Sequence, residues 1–169
     1  GGDTAYAIVY AYDEDYVTQD YRLLKSEDGA ATWDDITDDD WTGNPFMVAT
    51  DGEDADFVVV ALDMGGGLVS VYVSDDGGST FEQVTPDLTL TVYALEVSPE
   101  VDGDRDIAIG GTDGTNAELW RSTATGDSAS GWEDATLVAD YPGWVVDSAV
   151  VDIHFAPSWD EDNTILVAT

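Results

Sequence analysis

Short runs of apolar and β-branched residues alternate along this chain with turns rich in Gly, Asp, Ser and Pro. One set reads AYAIVYA at 5–11, FVVVAL at 57–62, IAIGGT at 107–112 and TILVAT at 164–169, each following an acidic turn. A second set precedes those turns: PFMVAT at 45–50, VYALEVS at 92–98 and VVDIHFA at 150–156. A third set is more alternating and lies at 21–25, 68–73 and 117–121. A fourth follows it at 33–36, 81–84 and 132–137. Runs of this length, rich in Val, Ile, Tyr and Phe and closed by turn formers, predict strands. No window sustains a 3.6-residue period, so no amphipathic helix is predicted.

The runs recur with a spacing. Residues 26–33 read SEDGAATW and residues 74–81 read SDDGGSTF, 48 residues apart. A further step of 48 lands on Ser122, where a degenerate copy keeps the serine and an aromatic, Trp132, around a longer turn. Labelled a to d in order within the repeat, the runs spell b-c-d, a-b-c-d, a-b-c-d, a-b. Four antiparallel strands every ~50 residues predict the blades of an all-β propeller. The expected segments are a partial blade at 1–40, blades at 41–88 and 89–140, and a partial blade at 141–169. That is an incomplete propeller of three to four blades, with a and b covered on both faces and c and d half wet.

The phrase SxDGxxT followed by an aromatic resembles the Asp-box, or BNR repeat, of sialidases, sortilin-type propellers, some xyloglucanases and a photosystem assembly factor. It is carried by Ser26, Asp28, Gly29, Thr32 and Trp33, and by Ser74, Asp76, Gly77, Gly78, Thr80 and Phe81. The stretches SPEVDGDRDIAIGGT at 98–112 and APSWDEDNTILVAT at 156–169 resemble a second phrase common in such propellers. The resemblance implies a fold more than a function. The phrase is expected to hold turns: Asp accepts from backbone N–H groups one or two residues on, Gly supplies positive φ, and the aromatic fills the space between sheets.

Charge narrows the partners. Asp and Glu number 37 against four Lys and Arg, a formal net charge of −33. There is no basic footprint for nucleic acid or for an anionic membrane surface. No run of 18 apolar residues offers a membrane span. With 43% hydrophobic residues the chain is not a disordered acidic tail. Such charge strains a compact state by self-repulsion, which salt or divalent cations would relieve. Asp102, Asp104 and Asp106 form the best calcium candidate, because alternating carboxylates in a turn can converge on a hard cation. Further acids precede the b runs at Asp51, Glu53, Asp54, Asp56, Asp160 and Asp162.

Catalysis finds little support. A sialidase needs an arginine triad, and Arg22, Arg105 and Arg121 fall at positions that do not converge, so they are expected to be ion-pair partners. The lone His154, in an a-type run, has no Ser or Cys partner motif and is expected to be packed or to face the channel. With 37 carboxylates, some pair always meets the spacing of a glycosidase, so the pair carries no signal. The chain has no cysteine. Its Gly-Gly-Asp start, without Met or an apolar h-region, reads as a processed or excised start.

The expectation is a non-catalytic extracellular or cell-surface module, built for structure or interaction, in a surface layer or filament. Partners are copies of itself or the remaining blades of a longer chain, with glycans and surface proteins as further candidates. The alternative is a fragment of a glycan-active hydrolase whose catalytic residues lie elsewhere. A cytosolic assembly factor is a third class, disfavoured by the acidity.

Overall fold

A computed structural model of the chain describes residues 3–12, 19–85, 88–135 and 148–169. Four antiparallel sheets follow one another. Sheet 1 contains β1 (Ala5–Tyr12), β2 (Gln19–Ser26) and β3 (Asp34–Asp35), hydrogen-bonded in that order. Sheet 2 runs β4 (Asn44–Thr50), β5 (Val58–Gly65), β6 (Leu68–Ser74) and β7 (Glu82–Gln83), and β8 (Leu88–Thr89) also pairs with β6. Sheet 3 contains β9 (Thr91–Val97), β10 (Asp104–Thr112) and β11 (Ala117–Thr125), with β12 (Ser128–Ala129) and β13 (Glu133–Asp134) both on β11. Sheet 4 pairs β14 (Asp152–Phe155) with β15 (Ile165–Ala168). The order b-c-d, a-b-c-d, a-b-c-d, a-b is the one read from the runs. The last two residues of the run at 132–137 lie outside the described residues.

The sheets stack face to face, and strand alternation decides what each face meets. On β5, Val58, Val60 and Leu62 point one way and meet Leu23, Tyr6 and Ile8 of sheet 1. Val59 and Ala61 point the other way, with Val71 and Val73 of β6, and meet Val97, Ile107 and Ile109 of sheet 3. Ala108 and Leu119 then meet Val150, Ile153 and Phe155 of the fourth sheet. Each fully buried Val or Ile contributes about 1.5–3 kcal/mol, so an apolar run covered on both faces is what stacking rewards. In sheets 2 to 4 strand a is innermost: β4 lies against β9, and β9 against β14. These are propeller blades.

Three features differ from expectation. Strand c of sheet 2 is not half wet: in β6, Val69, Ser70, Val71, Val73 and Ser74 are all buried. A third strand is still covered when both neighbouring sheets are as wide as its own. Strand d shrinks to two residues in β3, β7 and β13. Between β14 and β15 stands one helical turn, α1 (Trp159–Asp162), which places Trp159 edge-on to Phe155 with ring centroids 4.8 Å apart.

Candidate functional site

The two repeated phrases fold into the same closed turn. Ser26 Oγ donates to Asp28 Oδ1 at 3.0 Å, and Ser74 Oγ to Asp76 Oδ1 at 2.8 Å. Each serine oxygen accepts the N–H four residues on, from Ala30 at 2.9 Å and from Gly78 at 2.8 Å. Each Asp Oδ1 accepts two N–H groups, from Ala31 and Thr32 in one turn and from Ser79 and Thr80 in the other. The threonine hydroxyls close the ring, Thr32 at 2.7 Å and Thr80 at 2.9 Å from the second carboxylate oxygen. The aspartates reach three and four residues on, further than the one or two expected of a simple Asx turn. The turn also ties two segments together: Gly29 N–H donates to Asp3 O and Gly77 N–H to Asp56 O, both at 2.8 Å.

These bonds set the acidity of the carboxyls. The Thr32 N–H, with the Thr32 and Ser26 hydroxyls, pulls Asp28 down to about 2. Burial pushes Asp76 up, but bonds from Thr80, Ser74 and Ser79 outweigh it and hold it below the usual range. A carboxylate surrounded by donors and locked in its charged form is a poor proton carrier. Both carboxylates accept the N–H groups that close their own turns.

The third copy is built otherwise. Ser122 Oγ donates to Ser130 O at 2.6 Å, across a hairpin in which Thr125 faces Ser128. Its aromatic keeps the expected role: Trp132 packs between sheets 2 and 3 and donates Nε1–H to Val84 O at 2.8 Å. Phe81 packs between sheets 1 and 2, its ring 5.0 Å from that of Trp41. Trp33 is 38% exposed.

Asp102, Asp104 and Asp106 do not gather around a point. Asp102 and Gly103, with φ of 54° and 91°, form a two-residue hairpin closed by Val101 and Asp104. Two successive positive φ values are the mark of a type I′ turn, for which Asp-Gly is a preferred pair. Asp104 and Asp106 accept hydroxyl bonds across the ladder, from Thr125 and from Thr123. Among the described residues, no three acidic or histidine side chains are grouped to hold a metal ion. The D-x-D-x-D spacing marked a hairpin and its paired strand.

Arg105 lies in β10 and is buried. Its Nε is 2.8 Å from Asp51, its Nη2 2.8 Å from Asp54 and 2.7 Å from Glu100, and its guanidinium sits 4.6 Å above the Phe57 ring. Removing one partner of such a buried pair costs about 3–5 kcal/mol. Arg22 pairs with Asp35. His154, expected to be packed or to face the channel, stands 61% exposed on the innermost strand of sheet 4. It lies 3.3 Å from Asp152 and 3.6 Å from Glu96. Burial raises the Glu96 carboxyl above the usual range, only partly opposed by His154.

A cleft of about 540 Å³ opens between the start of β2 and the connection into β4. It is lined by Asp20, Tyr21, Arg22, Asp35, Thr37, Asp38, Asp39, Trp41, Thr42, Gly43 and Asn44. The Tyr21 and Tyr10 rings lie 4.8 Å apart with their planes tilted by 43°, and the two residues are 39% and 58% exposed. The Trp41 Nε1–H is buried and has no hydrogen-bond partner among the described residues. Nothing in the local sequence around Tyr21 and Trp41 distinguishes a cleft aromatic from a packed one.

No protein-family model matches the chain, and no curated protein matches it either. Among solved structures, the chain is similar to the GH74 xyloglucanase of Xanthomonas campestris, with a TM-score of 0.53 at 16% identity. The match covers 87% of this chain and 22% of the enzyme, so the chain spans about a fifth of that protein's length. The likeness supports the propeller-type fold.

Proposed function

We propose that the chain is a stretch of an exported Asp-box propeller, acting outside the cell as a non-catalytic interaction module that takes carbohydrate in the cleft at Tyr21 and Trp41. The cleft carries the reading. Exposed tyrosine rings offer flat apolar faces for the C–H side of a sugar ring, while Asp38, Asp39 and Asn44 offer acceptors for its hydroxyls. The acids of the two repeated turns are consumed in closing those turns, which supports a scaffold rather than a reaction centre. The dense surface charge suits an environment where salt or calcium screens it.

The second reading is a segment of a glycan hydrolase whose reacting groups lie on other blades. The xyloglucanase with the similar fold favours it. One experiment separates the two. The intact protein is run in native gels containing xyloglucan or mixed-linkage glucan, and the same polysaccharides are assayed for new reducing ends. The module reading expects retardation without cleavage, and loss of retardation in Tyr21→Ala and Asp38→Asn. Release of reducing ends supports the hydrolase. Unchanged mobility in every gel, or retardation that both variants keep, overturns the cleft as the sugar site.

A further inference from the structure

The first hairpin sets two tyrosines against each other. In the antiparallel register of β1 and β2, Tyr10 stands directly opposite Tyr21. Directly opposed side chains share one face of the sheet, with Cβ atoms about 4.5–5.5 Å apart. The two ring centroids are 4.8 Å apart, and both residues are open to solvent. The other described tyrosines meet no tyrosine in their ladders. Tyr12 is as exposed as Tyr10 but stands opposite Gln19, and Tyr6 stands opposite Lys25. Tyr72 has Val60 on one side and Gln83 on the other. Tyr93 falls where the β9–β10 ladder sets no residue directly opposite.

We propose that Tyr10 and Tyr21 are an oxidative cross-link site, joined to each other by a one-electron oxidant of the peroxidase class acting with hydrogen peroxide. Each phenol gives up one electron and its hydroxyl proton and becomes a phenoxyl radical. The unpaired electron is shared with the ring carbons next to the oxygen. The two radicals couple at those carbons, which forms one carbon–carbon bond between the rings. Each joined carbon then releases its hydrogen as a proton, each oxygen takes one up, and both rings return to phenols. The pair has lost two hydrogen atoms, and one peroxide has been reduced to two waters.

Two features direct the coupling inward, within one chain. The strand register holds the partner ring in place, so the second encounter is unimolecular. The formal net charge of −33 keeps copies of the chain apart and slows coupling between molecules. A radical on Tyr10 therefore meets Tyr21 before it meets another molecule. The chain has no cysteine, so a disulfide cannot tie its strands together, whereas this bond ties β1 to β2. Tyr21 also lines the cleft, and the bond would fix that part of its wall. The cross-link is independent of what the cleft binds.

The test treats the full chain with a haem peroxidase and hydrogen peroxide over a wide range of protein concentration. Dityrosine is followed by its fluorescence, and denaturing gels separate monomer from covalent dimer. Intact mass checks for the loss of two hydrogens, and digestion at Glu14, which lies between the two tyrosines, checks which peptides stay joined. The expected product is a cross-linked monomer, formed in a yield per chain that does not change with concentration, with Tyr10 and Tyr21 in the joined peptides. Tyr10→Phe and Tyr21→Phe keep the ring and remove the phenol, and each should lower dityrosine in the monomer about tenfold or more, while Tyr12→Phe should stay within about twofold of the parent. Both tyrosines are exposed, so neither substitution disturbs the core. Absence of dityrosine, dityrosine confined to covalent dimers, or a link that maps to another tyrosine overturns the proposal. So does an undiminished yield in Tyr21→Phe.

Discussion

The turn at Ser26–Thr32 and the turn at Ser74–Thr80 share the serine, aspartate and threonine hydrogen bonds that close them, the second adding one from Ser79 Oγ to Asp76 O, and differ in what surrounds them. In the first, the second glycine of the phrase is replaced by Ala30, which holds φ at 70°, and the following aromatic, Trp33, is substantially exposed. In the second, Gly78 holds φ at 86° with Ile36 pressed against it, and Phe81 is packed on Trp41. The local chemistry is therefore autonomous: serine, aspartate and threonine close the ring whether or not a sheet lies over it. The glycines and the aromatic answer to the neighbouring sheet instead. One turn is held by its own bonds, the other by its bonds and by its packing.

The sharpest way to break this comparison is Gly78→Ala. A Cβ there would lie 2.5 Å from Ile36 Cδ1, on a backbone that L-residues adopt at a cost of roughly 1–2 kcal/mol. With the added overpacking, a loss of about 3 kcal/mol is expected in urea denaturation. Gly29→Ala, with open space around its φ of 73°, should lose only the roughly 1–2 kcal/mol of backbone cost. Equal losses would show that the two environments do not differ in the way described.

Next in size is the aromatic. Phe81→Ala should cost about 2–3 kcal/mol, because it empties the space against Trp41 and Ile36. Trp33→Ala should stay within about 0.5 kcal/mol, as surface changes do. Smaller again, and of opposite sign, is Ala30→Gly. It relieves a positive φ at an exposed site and should raise stability by about 1 kcal/mol, seen as a higher urea midpoint.

The smallest effect is in the acid limb. Asp28 and Asp76 both have depressed values, so their contribution is present above the ordinary carboxylate range and fades as pH falls through it toward 2. Asp28→Asn should flatten the stability profile between about pH 4 and 2 and leave the profile above pH 5 parallel to that of the parent. An unaltered acid limb in the variant would detach the turn from the acid response.

Much of the blade order was legible because strands signal themselves locally. FVVVAL and IAIGGT announce strands covered on both faces, and the 48-residue spacing of Ser26 and Ser74 sets their order. The acidic segments were less legible. Asp102, Asp104 and Asp106 look like a cation loop in a one-dimensional reading, because spacing alone does not show that Asp102 takes positive φ while the other two meet threonines on β11. The cleft at Tyr21 and Trp41 was hidden for a related reason. An aromatic such as Tyr21 in a strand, or Trp41 in the connection before one, looks the same in sequence whether the next sheet covers it or not.

The sequence by itself determined the elements of this protein: where strands begin, how they repeat, and which serine and aspartate close each turn. Those features rest on contacts within a few residues, whose geometry the order of side chains specifies. Only the tertiary structure decided which charges meet. Arg105 finds Asp51 54 positions away in the chain, Lys25 comes to lie beside Asp56, and His154 comes within ion-pair range of Glu96. Electrostatic and packing partners across a joint are fixed by how the sheets stack, and a stack has no signature in any local stretch of sequence.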